Sequence, residues 1–487
     1  MNNTFYVENF KNIGPEIKVE KRPITINIGT NNSGKSTFSK CIEAINKTII
    51  NYSSAYPLRE LHTFGPNNLG SEILNSQYDS KYIGFGFDIP HTLFPNISER
   101  YKLSVKFQYW IPDWFSESTK IDDNNVIMKV ENLPGKYTLF KIALFLDTSL
   151  LLSIEDTNET YPIHFEPLIE ESFKLLRVNH TLFLNILNNL EPTENFDYPI
   201  SEIKVDDYES AFSGPNPFSL AFQLLNEQSD INFEPYIEFL KSMENYVDEF
   251  SKIIRNYNFI YLNRIITSRK INFHEDGRLS KALYNYFTIL GHHVFHNALD
   301  QILPLFDIDP KIKITPHPDY GFIIHLKEIG GEYRNLEDFG SGIKQLFPLA
   351  LISTIGSRTN LNQVSWSENF SDIESTIFIE EPEVNLHPNF QSKLADFFMI
   401  LNSHTKMEFV IETHSEYLVR RFQYLVGNRE ISSNDIVINY FWKEKEKTKC
   451  KQIFFEENGS LSDSFNTGFY DESLTSQLEL LIINNSN

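Results

Sequence analysis

The sequence predicts an α/β fold in which a glycine-rich loop joins a buried strand to a helix, and strand–helix stretches at the two ends of the chain share one sheet. Three observations carry this reading. Ile24-Thr25-Ile26-Asn27-Ile28 is a β-branched run ending at Gly29, and Ser36 to Ile45 follows with helix-compatible spacing. Gly29-Thr30-Asn31-Asn32-Ser33-Gly34-Lys35-Ser36, between them, fits G-x-x-x-x-G-K-[ST]. Between about 310 and 450 strands and helices alternate again, with Phe322 to Leu326, Thr376 to Ile379, Phe409 to Ile411 and Ile436 to Phe441 as apolar strands.

The intervening chain is less regular. Ser104 to Tyr109 alternates polar and apolar residues with period two, and Val126 to Val130 reads as another strand, so residues up to about 155 extend the first lobe as mixed β structure. From about 165 to 260 the pattern turns helical. Leu240, Val247 and Ile254 recur every seven residues, as do Met243, Phe250 and Tyr257, which suits a core-packing helix hairpin or a short coiled-coil arm. Gly330-Gly331 marks a hairpin turn, and Lys443 to Lys451 suits a solvated hairpin better than a binding patch. The expected division is an N-terminal lobe over 1–160, a helical insertion over 161–310, a C-terminal lobe over 311–450 and a small module over 451–487.

Composition narrows the function classes. A chain of 487 residues has a prior of about three domains, and 41% hydrophobic residues are enough for buried cores. The formal net charge of −22 repels phosphate backbones unless basic residues cluster locally, which disfavours a clamp that grips DNA over its whole surface. Two cysteines, Cys41 and Cys450, make neither a disulfide framework nor a structural zinc site and fit a reducing cytosol. The opening MNNTFYVENFKNIG lacks the basic and apolar regions of a signal peptide. The most apolar stretch, Thr138 to Ile154, is interrupted by Lys141 and Asp147 and falls short of a bilayer span. A cytoplasmic location without a membrane partner is expected.

Four segments carry chemistry. In the Gly29–Ser36 loop, backbone N–H groups and the following helix N-terminus make a concave anion site; the Lys35 ammonium can reach the β- and γ-phosphates, and the Ser36 hydroxyl can ligate Mg²⁺. Ser375 to Ile379 runs into Glu380-Glu381-Pro382-Glu383. A hydrophobic strand ending in acids offers one carboxylate, Glu380, for the Mg²⁺ shell and another, Glu381, to orient or deprotonate an attacking water. Phe409 to Ser415 is a third strand ending at a polar turn with His414, which could contact the γ-phosphate from the strand's carboxyl edge. Asp338-Phe339-Gly340-Ser341-Gly342-Ile343-Lys344-Gln345 opens a helix and makes a second anion site. One nucleotide needs one phosphate loop, so the second suggests a neighbour's nucleotide.

In this order the four motifs resemble the ABC-type ATPase superfamily, specifically its soluble branch of RecF, SMC and OLD-family proteins, with phrasing closest to the OLD-like members. NNSGKST is similar to their Walker A, DFGSGIKQL to a degenerate signature, IFIEEPEVNLHP to Walker B and D-loop, and IETHSEYLVRR to the switch-histidine segment. FFEENGSLSD and the residues after it resemble a small C-terminal module of a bacterial subgroup. The resemblance covers about half of the chain.

It implies a P-loop NTPase head, a mixed β-sheet flanked by helices with an antiparallel β subdomain, carrying a helical insertion. It also implies ATP with Mg²⁺ sandwiched in a homodimer or higher oligomer. Gly29, Asn31, Asn32, Ser33, Gly34, Lys35, Ser36 and Thr37 of one copy would bind the nucleotide, and Ser341, Gly342, Lys344 and Gln345 of the other would complete it. Ser36 and Glu380 would hold the metal, Glu381 would be the general base, and His414 would read the γ-phosphate. Three departures stand out: the metal-shell position is usually Asp, the signature loop lacks the second consecutive Gly of the transporter version, and the glutamine loop has only Gln77 and Gln108 as weak candidates.

Relatives in the OLD family proper carry a nuclease with a D-x-D pair, absent after His414 here; Asp307-Ile308-Asp309 is most simply a loop. Any nuclease would therefore be a separate chain, and the expected role is a sensor or scaffold that controls an effector, as the resemblance to ATPase subunits of anti-phage systems such as Septu or PARIS implies. DNA maintenance of the RecF or SMC type is the alternative and requires a basic stripe, for which Arg420-Arg421 and Arg264 with Arg269-Lys270 are candidates. A transporter's nucleotide-binding subunit is the weakest alternative.

Overall fold

A computed structural model describes residues 3–50, 82–89, 103–110, 139–146, 149–155, 163–165, 254, 257–261, 271–272, 293–317, 321–355, 376–445 and 447–465. The chain opens with an antiparallel pair, β1 (Asn3–Glu8) and β2 (Ile17–Lys21), before β3 (Ile24–Gly29) leaves it for a second sheet. All six residues of β3 are buried, as a β-branched run covered on both faces must be. It feeds α1 (Lys35–Ile50). Next come β4 (Tyr82–Ile89), β5 (Leu103–Trp110), β6 (Leu139–Leu146), β7 (Ser149–Glu155) and β8 (Ile163–Phe165). They extend the first pair into a seven-stranded antiparallel sheet, in the order β2-β1-β4-β5-β6-β7-β8. The apolar stretch from Thr138 to Ile154 is thus two paired strands, and among the described residues no helix is long and apolar enough to cross a membrane.

The second sheet is assembled from distant parts of the chain. Its strands besides β3 are β9 (Tyr257–Tyr261), β14 (Thr376–Glu380), β15 (Glu408–Glu412), β16 (Ile436–Glu444) and β17 (Lys447–Phe454), in the order β17-β16-β3-β15-β14-β9. All neighbours pair in parallel except β16 with β17. The two ends of the chain therefore do share one sheet, and Lys443 to Lys451 spans the β16–β17 hairpin as expected. A small sheet, β10 (Ile271–Asn272), β11 (Lys313–His317), β12 (Gly321–Leu326) and β13 (Arg334–Asn335), holds the Gly330-Gly331 turn between its last two strands.

Among the described residues four further helices cover the parallel sheet: α2 (His293–Leu305), α3 (Ser341–Ile355), α4 (Pro388–Thr405) and α5 (Glu416–Gly427). Leu299 and Ile302 of α2, Leu349 of α3, Phe397 and Phe398 of α4 and Phe422 of α5 lie in one core with Ile26 and Ile411 of the sheet. Each such side chain contributes about 1.5–3 kcal/mol when fully buried. Local signals set the helix ends: His387 caps α4 ahead of Pro388, left-handed Lys406 closes it, and the Ser415 hydroxyl caps α5 at the Leu418 N–H.

Two expectations need correction. Residues 257–261, placed at the end of the helical run, form strand β9 on the edge of the main sheet, where Phe259 stacks on Phe378 at 4.7 Å. Aromatic and β-branched residues fill an open parallel edge well, and a seven-residue spacing does not separate that outcome from a helix. Ala298, Leu299, Ile302, Leu303 and Phe306, within the expected insertion over 161–310, also pack into the head's core. The heptad residues Leu240, Met243, Val247 and Phe250, and the strand expected at Val126 to Val130, lie outside the described residues; Ile254 is helical and buried.

One buried ion pair clamps the two ends of the chain. Lys21 of β2 and Glu408 of β15 are both buried and hydrogen-bonded to each other, and Thr376 adds a bond to the carboxylate at 3.1 Å. Burial alone would raise the Glu408 pKa, but the Lys21 charge and hydrogen bond outweigh it and hold the group below its ordinary 4.5. A depressed folded-state pKa means stability that is present above about 4.5 and lost as pH falls through the folded value. Glu408→Gln is expected to be destabilised by ~3–5 kcal/mol at neutral pH, because Lys21 is left buried and uncompensated. It should also lack this acid-dependent loss; thermal midpoints of both proteins from pH 7 down to 3 test it.

Candidate functional site

The glycine-rich loop is shaped by backbone demands. Gly29 (φ +153°) lies against β16 so closely that a Cβ would stand 2.0 Å from the Phe441 carbonyl oxygen, and Gly34 (φ +111°) lies against Thr448 of β17. Asn32 is left-handed (φ 59°) and is steadied by the Asn12 amide, which donates to its carbonyl oxygen at 3.1 Å. Asn31 and Asn32 are exposed, whereas Ser33, Gly34 and Lys35 are buried. The Lys35 ammonium donates to the Gly29 and Thr30 carbonyl oxygens at 2.8 and 2.9 Å. Ser36 and Thr37 sit half-buried in the first turn of α1.

The acids converge on this loop because β3, β14 and β15 run parallel and end at one edge. Register pairs Glu380 with Glu412 and Glu412 with Asn27, and ligands of open α/β sheets bind beyond such carboxyl ends. Glu381 follows in the left-handed region (φ 47°), and its N–H donates to the Glu412 carbonyl oxygen at 2.8 Å. Its side chain is 41% exposed and places Oε1 3.9 Å from His414 Nε2. Below them Glu383 is buried, and its Oε1 accepts the His414 N–H at 2.7 Å.

Burial dominates the electrostatics here. It lowers the Lys35 pKa, opposed by the carboxylates of Glu412, Glu381, Glu383 and Glu380. Burial and then the Lys35 charge lower that of His414, so the ring is neutral near pH 7 and its contact with Glu381 is not an ion pair. Burial raises Glu383, and it pushes Glu412 up to about 7 against hydrogen bonds from Ser39 and Ser36. Four acidic side chains around one ammonium leave a site suited to added positive charge, which would favour the ionised form of Glu412 and Glu383. Ser36 and Glu380 offer the hard oxygen donors that Mg²⁺ takes, and Mg²⁺ bound with a nucleotide draws most of its other ligands from phosphates and water. The residues thus fit the ion, although among the described residues no three His, Cys, Asp or Glu side chains form a metal cage of their own.

The second loop meets this edge through the turn after Glu381. Ser341 is exposed at the start of α3. A Cβ on Gly342 would lie 3.1 Å from the Asn385 carbonyl oxygen, and the Asn385 amide donates to Gln345 Oε1 at 3.1 Å. Lys344 is engaged within its own chain, with Nζ 3.3 Å from Glu337 Oε2.

The structure therefore gathers Gly29 to Thr37, Glu380, Glu381 and His414 at one edge and sets Gly342 and Gln345 against the adjoining turn, with exposed Ser341 and the Glu337-paired Lys344 on the same helical turns of α3. Sequence reasoning gave no role to Glu412 or Glu383. Phe409 to Glu412 is a hydrophobic strand ending in an acid, the same signal that singled out Glu380, so Glu412 was open to that argument; Glu383 had no comparable signal. Arg421 is bidentate to Asp396 at 2.7 and 2.9 Å, and Arg420 pairs with Glu416. Arg420 and Arg421, two of the residues expected in the basic stripe, are thus engaged within the chain, while Arg264, Arg269 and Lys270 lie outside the described residues.

A family model described as "AAA domain, putative AbiEii toxin, Type IV TA system" matches residues 24–420, which take in all four motifs. No curated protein matches the chain. Among solved structures it is similar to an SMC head bound to the C-winged helix domain of ScpA, at 12% identity and TM-score 0.42, covering 94% of this chain and 98% of that one. An SMC head with an extended coiled coil from Pyrococcus furiosus, bound to the C-terminal domain of ScpA, gives 11% identity and TM-score 0.37, covering 93% and 96%. The SMC head domain from Thermotoga maritima gives 9% identity and TM-score 0.35, covering 92% and 98%.

Proposed function

The chain belongs to this family of AAA domains, and from that premise we propose that it binds and hydrolyses ATP with Mg²⁺ between two copies of itself and uses the cycle to control a separate effector. The observation that carries the proposal is the shared edge: Lys35 lies within electrostatic reach of Glu380, Glu381, Glu383 and Glu412. Amides from Asn31 to Thr37 and the Lys35 ammonium would hold the triphosphate, and Ser36 with Glu380 would hold the metal. Mg²⁺ supplies charge neutralisation at the β- and γ-phosphates. Glu381 would take a proton from the attacking water as oxygen bonds to the γ-phosphorus and the bond to the β–γ bridging oxygen breaks, leaving ADP and phosphate. Neutral His414, beside Glu381, can offer or accept a hydrogen bond at the γ-phosphate.

Exposed Ser341 at the start of α3 supports the two-copy arrangement, since an N-terminal helix turn with an unobstructed hydroxyl suits a neighbour's phosphate. The net charge of −22 suits a partner protein with a basic face, and a nuclease in an anti-phage system is the effector the motif resemblance favours. The bidentate hold of Asp396 on Arg421, with the net charge of −22, weighs against DNA as the ligand.

Binding of a fluorescent ATP analogue tests the core of the proposal. Lys35→Ala removes a charge-assisted contact, and affinity is expected to fall about ten- to hundredfold. Parental affinity in that variant would sink the nucleotide assignment. For the effector, ATP-dependent co-purification with the product of a neighbouring nuclease gene is expected; co-purification with a permease would support the transporter alternative instead.

A further inference from the structure

We propose that Glu412 is the positioning residue of the metal site: it takes the hydrogen of the Ser36 hydroxyl and thereby turns that oxygen's lone pairs toward the cation. The inference rests on the nucleotide reading above and adds to it a residue outside the expected metal shell. Ser36 Oγ donates to Glu412 Oε2 at 2.7 Å. A serine hydroxyl has one hydrogen, so a fixed acceptor leaves its lone pairs available to a metal and fixes their direction.

Position and cost both single out Glu412. It ends β15, between the strand that carries the loop and the strand that carries Glu380 and Glu381, and it is 3% exposed. Burying a carboxylate there is expensive, and an apolar residue like its strand neighbours Val410 and Ile411 would fit the sheet at lower cost. Its main chain is also engaged, because its carbonyl oxygen accepts the N–H of Glu381. One residue thus ties the proposed metal ligand on α1 to the proposed base after β14. Glu380, its register partner, keeps its expected place as the acid that meets the metal.

The test is the factor by which Mg²⁺ tightens binding of a non-hydrolysable ATP analogue, measured as affinity in saturating MgCl₂ against affinity in EDTA. By linkage this factor reports how well the protein–nucleotide complex holds the ion. In Glu412→Gln, which keeps the shape and loses the charge, it is expected to fall about tenfold; in Glu412→Ala, which also loses the acceptor, it should fall up to about a hundredfold. Affinity in EDTA should not fall, because losing a carboxylate near Lys35 leaves a free polyanion no worse held, so the loss must show in the affinity measured with MgCl₂. The inference is overturned if folded Glu412→Ala keeps the parental factor, or if affinity in EDTA falls as far as affinity in Mg²⁺, which would mark a merely structural prop for the loop. Should Glu412→Ala fail to fold, Glu412→Leu, of similar size and without an acceptor, decides in its place. A parent protein with no affinity for the analogue under either condition would overturn the nucleotide reading and this inference together, whereas a binding parent with an unchanged factor in the acceptor-free variant overturns the inference alone.

Discussion

Glu381→Gln is expected to bind ATP with near-parental affinity and to hydrolyse it ~10²–10⁴-fold more slowly, the usual contribution of a positioned general base. The amide keeps the volume of the carboxylate and can still hold a water, but it cannot accept that water's proton. The side chain is 41% exposed beside His414, so the substitution buries no new polar group, and the left-handed backbone at Glu381 (φ 47°) is available to glutamine at a similar cost. With binding intact and turnover blocked, the ATP-bound dimer should accumulate. Mass measurement in solution is expected to find it with ATP and Mg²⁺ and to find a smaller species in EDTA. Single-turnover phosphate release at the parental rate would remove Glu381 from the role of base and leave Glu383 as the next carboxylate to examine, although Glu383 is buried and already engaged by the His414 N–H.

How much of this was legible in the sequence depended on how far apart the cooperating residues lie. The Gly29–Ser36 loop was readable because its strand, turn and helix are contiguous and each leaves a local mark. The parallel pairing of β3 with β15 and β16 was inferable only as a shared sheet, since nothing local in Ile24 to Ile28 states which strands flank it. Strand β9 was misread because Ile254 and Tyr257 fit helical spacing while the open edge of β14, a tertiary fact, decided the outcome. The clamp between Lys21 and Glu408 spans 387 residues of chain and has no sequence signature at all. Glu412 was a different case: its signal was present at the end of a hydrophobic strand, but the neighbouring histidine drew the functional reading past it.

The glycines of the loop yield a graded prediction that separates shape from chemistry. Gly29→Ala is expected to destabilise the nucleotide-free protein by roughly 3–6 kcal/mol, combining an unfavourable φ with an overpacked contact. Its Cβ would meet the Phe441 carbonyl oxygen at 2.0 Å, and that oxygen belongs to β16, which pairs with β3 over six residues and cannot move aside alone. Gly34→Ala should cost less, because its Cβ would meet a Thr448 methyl at 2.8 Å and a side chain can shift where a paired backbone cannot. Gly340→Ala, whose Cβ would find nothing within 4 Å, should leave stability within about 0.5 kcal/mol. Chemical denaturation in EDTA, without nucleotide, measures all three. The order matters more than the absolute values. Thr448 also donates to the Asn12 carbonyl oxygen at 2.9 Å, and Asn12 in turn holds Asn32, so the β16–β17 hairpin presses on the loop from two directions. If Gly29→Ala unfolded no more readily than Gly340→Ala, the loop would not be moulded by the C-terminal hairpin, and the cradle for phosphate would have to owe its shape to the ligand instead.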